Sequence, residues 1–92
     1  MPRLAVTVFG HVQDVTYRAS AARQADRLNL AGFARNQADG SVYLEIEGSA
    51  SALDQFVHWA KVGPPLALVS DLRINKIKSS GKVGFSIVDA GR

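Results

Sequence analysis

Residues 36–48, NQADGSVYLEIEG, decide how the rest of the chain is read. Asp39-Gly40 is a dipeptide suited to a tight hairpin turn, and behind it Val42, Leu44 and Ile46 alternate with Tyr43, Glu45 and Glu47. A period of two sends one set of side chains into a core and the other into water, so the segment is a strand covered on one face. The partner strand is short, Phe33 to Asn36, and Gln37 to Ser41 forms the turn between them. Gly48 ends the second strand.

Outward from this hairpin the period changes on both sides. Ser51 with Asp54 three residues on has the form of a capping box, and Leu53, Phe56, Val57 and Ala60 then recur at helical spacing. Gly63-Pro64-Pro65 stops that helix, because proline cannot continue it and glycine suits the left-handed cap. Leu66 to Ile77 reads as a strand, Ser79 to Lys82 as a turn, and Val83, Phe85 and Ile87 as a short last strand. Upstream, Arg3 to Phe9 alternates as a strand that Gly10 ends, and a polar stretch from His11 to Thr16 leads into a helix over Tyr17 to Leu30. Tyr17, Ala21, Ala25 and Leu28 share one face of it, Arg23, Gln24 and Arg27 the other, and Asn29 to Gly32 closes it. The order β-α-β-β-α-β with a terminal strand predicts an α+β, ferredoxin-like split βαβ sandwich, two helices packed on one face of an antiparallel sheet.

The whole chain, residues 1–92, is expected to be one domain, since half this length rarely supports an independent core. Hydrophobic residues at 47% and charged ones at 21% describe a folded globular chain, and 11 Lys and Arg against 8 Asp and Glu give a mild, scattered +3. Without cysteine there is no disulfide framework, thiolate nucleophile or thiolate metal site. His11 and His58 stand far apart with no zinc-ligand spacing, so neither metal nor cofactor is expected, and His58 beside Trp59 reads as structural. The opening MPRLAVTVFG lacks a signal-peptide pattern, and no stretch approaches the ~18 apolar residues of a membrane span. A cytoplasmic monomer with no membrane partner is the expectation.

The predicted order makes the first two strands parallel, with the third inserted between them. Their ends then share one edge, which gathers the 11–16 loop, the first turn of the first helix with Arg18, and Asn36. A helix N-terminus offers backbone N–H groups and the positive end of the macrodipole, and a guanidinium there calls for a compensating anion, phosphate fitting best. Asn36 reads equally well by position as a hairpin residue. Beside a phosphate its amide can orient a water but cannot act as a strong base, which suffices only for a reactive substrate.

Val8 to Arg18, VFGHVQDVTYR, resembles the first signature of the acylphosphatase family, whose centre is usually GRVQGVxFR. Gly32 to Gly48, GFARNQADGSVYLEIEG, is similar to that family's second signature, and GPPLALV at residues 63–69 to its Gly-Pro-x-x-Ala-x-Val stretch. The resemblance implies that the backbone of His11, Val12, Gln13, Asp14, Val15, Thr16, Tyr17 and Arg18 cradles a phosphate, that Arg18 binds it, and that Asn36 positions the attacking water. It further implies an acyl phosphate substrate, hydrolysed to a carboxylate and inorganic phosphate without metal or organic cofactor.

Asp14 stands where the family has glycine. Aspartate tolerates positive φ, but a carboxylate ~4 Å from a phosphate repels each unit of charge by roughly 1 to 4 kcal/mol. That substitution leaves a weakened or inactive anion-binding module as the alternative. His11 for the family's arginine and Tyr17 for its phenylalanine are milder changes, and nothing in the mechanism asks for an imidazole at 11. A third reading, an RNA-binding domain of the same topology, rests on Lys82-Val83-Gly84-Phe85; Glu45 and Glu47 on the wet face of the third strand argue against it, and no nucleic-acid partner is expected.

Overall fold

Seven elements make up the computed structural model, which describes residues 1–88: β1 (Arg3–His11), α1 (Tyr17–Arg27), β2 (Ala31–Asn36), β3 (Val42–Glu47), α2 (Ala50–Ala60), β4 (Leu68–Ile77) and β5 (Phe85–Val88). The expected single domain runs to residue 92, so its last four residues lie outside the described ones. The strands form one sheet in the order β4-β1-β3-β2-β5. Antiparallel pairing of β3 with both β1 and β2 leaves those two parallel, as the split βαβ arrangement requires. β5 adds a parallel pair at the β2 edge, so the five-stranded sheet as a whole is mixed.

Alternation along the strands sorts the two faces. Val6, Val8, Leu44, Ile46 and Ala34 are buried beneath the helices with Ala21 and Ala25 of α1 and Leu53, Phe56 and Ala60 of α2. The small side chains of α1 let it approach the sheet closely. Tyr17 packs on Trp59, ring centroids 5.3 Å apart, and its hydroxyl donates to the Ala60 carbonyl at 2.8 Å, tying the first turn of α1 to the end of α2. Burial pushes the Tyr17 phenol up, away from ionisation.

The helix ends refine the sequence reading. α1 stops at Arg27 rather than Leu30, because Asn29 takes the left-handed conformation, φ 57°. The Leu30 and Asn29 N–H groups then donate back to Ala25 and Asp26, a Schellman closure. α2 is capped by Ser49, whose hydroxyl accepts from the Ala52 N–H at 3.1 Å, and not by Ser51, which lies inside the helix. The last strand begins at Phe85: Val83 is 93% exposed in the connection before it.

That connection explains the burial of Glu47, a charge which alternation alone assigns to water. β4 and β5 lie at opposite edges of the sheet, so residues 78–84 cross its Arg3–Glu47 end. Glu47, 7% exposed, accepts there from the backbone N–H groups of Ser80 and Gly81, from the Ser79 hydroxyl, and from Arg3 at 2.9 Å. The Ser80 N–H, with Arg3 and the other donors, holds the Glu47 carboxyl at about 2, well below the usual carboxylate range. A depressed carboxylate contributes stability above its unfolded value and loses it as pH falls through the folded one. The denaturant midpoint is therefore expected to fall between about pH 4.5 and about 2, and less so in Glu47→Gln, as followed by tryptophan fluorescence of the two proteins.

Candidate active site

Three strand ends converge on one edge of the sheet. Val8 of β1 and Asn36 of β2 both pair with Val42 of β3, and Arg35 pairs with Val88 of β5. The chain leaves β1 through an irregularity at Gly10, φ 125°, where a Cβ would stand 2.0 Å from the Leu68 carbonyl oxygen. Only glycine allows β1 and β4 this close while the loop turns towards α1.

The loop itself is built to display N–H groups. Asp14 and Thr16 are both left-handed, with φ of 60° and 61°. For Thr16, β-branched and without a side-chain capping bond, this is a strained conformation of the kind found at ligand clamps. Among the described residues the N–H groups from Val12 to Tyr17 meet no hydrogen-bond acceptor, and in the first turn the Ser20 N–H donates to the Thr16 carbonyl at 2.9 Å. Successive N–H groups around left-handed residues form a concave anion-binding nest, here continued by the N-terminus of α1, whose first turn holds no acidic residue.

A cavity of about 170 Å³ opens over this nest, lined by Val12, Asp14, Thr16, Tyr17, Arg18, Ala19, Asn36 and Ile87. Arg18 and Asn36, eighteen residues apart, therefore face one space. Arg18 donates from Nη1 to the Val88 carbonyl at 3.1 Å, which ties α1 to β5. Arg35 lies over Tyr43, 4.8 Å from the ring centroid, on the opposite face of the sheet, and alternation turns Asn36 to the helix side.

Of the eight loop residues read from the sequence, Val12, Asp14, Thr16, Tyr17 and Arg18 line the cavity and three do not. His11 ends β1 against Leu68, Val15 is buried in the core, and Gln13 turns its side chain away. Gln13 Nε2 donates to the carbonyls of Gln37 and Ser41 at 2.7 and 2.9 Å, fastening the loop to the hairpin that follows Asn36. Within that hairpin the Ser41 hydroxyl and N–H hold the Asp39 carboxyl below its ordinary range. Ile87 was missed as a site residue, since a lone apolar position in a short strand carries no sequence signal.

The acylphosphatase family model matches residues 4–87. The chain belongs to the acylphosphatase family. An acylphosphatase of Methylococcus capsulatus is 46% identical, over 89% of this chain and 89% of that protein, and one of Thermus thermophilus 42% identical, over 95% and 99%. The crystal structure of acylphosphatase from Bacillus subtilis, 37% identical, superposes with a TM-score of 0.92, covering 96% of this chain and 99% of that one. The ferredoxin-like fold thus agrees with that of the family. Among the described residues no helix is long and apolar enough to cross a membrane.

Proposed function

We propose that this chain, an acylphosphatase by family, hydrolyses acyl phosphates by direct attack of water on phosphorus. The phosphoryl oxygens lie in the nest of N–H groups from Val12 to Tyr17, and the Arg18 guanidinium bears on the same group. Asn36 accepts a hydrogen bond from a water and sets its oxygen in line with the bond to be broken. The O–P bond forms as the bond between phosphorus and the acyl oxygen breaks, the electron pair leaves with the carboxylate, and the water's proton passes to a phosphoryl oxygen. A mixed anhydride needs no stronger base, because the leaving carboxylate is already a weak one, and positioning with charge stabilisation supplies the rate.

The observation that carries this reading is the run of N–H groups that meet no acceptor among the described residues, beneath a cavity shared by Arg18 and Asn36. Hydrolysis of an acyl phosphate in ¹⁸O-labelled water containing EDTA tests it. One label is expected in the phosphate, none in the carboxylate, at a rate the chelator leaves unchanged. Label in the carboxylate would mean attack on the carbonyl carbon, and loss of rate with EDTA would mean a metal-dependent reaction.

A further inference from the structure

The rim of the cavity carries two side chains that the phosphoryl chemistry does not use. Asp14 is exposed, lines the cavity, and takes the left-handed conformation, φ 60°, in the middle of the nest. Ile87 lies on β5 in register with Ala34, and is 47% exposed where it meets the same space. A phosphoryl group seated on the N–H groups leaves its acyl part at the open side, among these residues.

From their chemistry we infer that the site selects acyl phosphates whose acyl part is apolar and carries no negative charge, with Ile87 as the surface it covers and Asp14 as the group that rejects a second carboxylate. This rests on the function proposed above and names its substrate class. Asp14 repels the phosphoryl group of every substrate alike, so that effect cancels when two acyl phosphates are compared. What remains is its action on the acyl part alone. A carboxylate about 7 Å away, in surroundings between water and a protein surface, changes kcat/KM by a factor of roughly 3 to 30. Ile87 acts in the other direction, since each CH₂ covered against an apolar side chain favours binding by about fourfold.

The test compares 4-methylbenzoyl phosphate with 4-carboxybenzoyl phosphate, two rigid substrates of similar shape, in the intact chain and in Asp14→Asn, where asparagine tolerates the same backbone conformation. The intact chain is expected to favour the methyl compound about tenfold or more at low salt. In Asp14→Asn that ratio shrinks by roughly 3- to 30-fold, and for the intact chain it shrinks as ionic strength rises. In Ile87→Ala the ratio of kcat/KM for 4-methylbenzoyl over acetyl phosphate falls by about fourfold. Ratios that Asp14→Asn and salt leave unchanged would overturn the inference while the hydrolytic reading stands. A chain that turns over none of these acyl phosphates would overturn both.

Discussion

Replacing Arg18 with alanine is expected to lower kcat/KM for an acyl phosphate by about three orders of magnitude. A charge-assisted fork aimed at a transferring phosphoryl group acts where charge is greatest in the transition state, and loss of one such donor typically costs 10²- to 10³-fold. The charge also sits at the N-terminus of α1, where a cation opposes the helix dipole, so its presence there is poorly explained by helix stability. Arg18→Lys is expected to recover only part of the rate, because an ammonium restores a point charge but not the planar pair of donors. Steady-state kinetics of the three proteins, with circular dichroism to confirm folding, measure this. An alanine variant of undiminished kcat/KM would remove Arg18 from the site.

Asn36→Ala is expected to act differently: kcat falls by roughly 10²- to 10³-fold while KM changes little. In the proposed mechanism its amide acts on the water rather than on the phosphoryl group, so its contribution appears in the transition state and not in substrate binding. Asn36 is half-buried at the end of β2, held in register with Val42, so truncation leaves the strand in place. A rise in KM with kcat unchanged would make it a phosphate ligand instead.

The sequence reading reached furthest where one local signal had one structural outcome. Asp39-Gly40 with the alternation that follows placed the hairpin, and Arg3 to Phe9 with the loop after it placed β1 and the entry to α1. It fell short where the outcome depended on where distant segments meet. Glu45 and Glu47 alternate as wet-face residues, yet Glu47 is buried because Ser79, Ser80 and Gly81, 32 to 34 residues later in sequence, cross over it. Ser49 rather than Ser51 caps α2, as two serines two residues apart offer the same chemistry and only the path of the chain chooses. Phe85 belongs to β5, but its parallel pairing with β2 follows from the edge at which the crossing ends.

Within the candidate site the same division holds. The loop and Arg18 were visible from residue type and position, whereas Asn36, ambiguous by position alone, was singled out by the family resemblance. The sequence reading allowed for a positive φ at Asp14, where the family has glycine, whereas nothing in a threonine announces the left-handed Thr16 beside it. Gln13 was read as part of the cradle through its backbone, which the structure leaves in the loop; the work of its side chain, fastening that loop to the hairpin, had no sequence signal.

Titration of the ¹⁵N-labelled chain with inorganic phosphate, followed by amide NMR, addresses the anion nest without relying on turnover. The expected result is a saturable shift confined to the N–H resonances of Val12 to Ala19 and the side-chain signals of Arg18 and Asn36, weakened in Arg18→Ala. Saturable shifts centred elsewhere, with those N–H resonances unmoved, would contradict the assignment of this loop as the phosphate cradle.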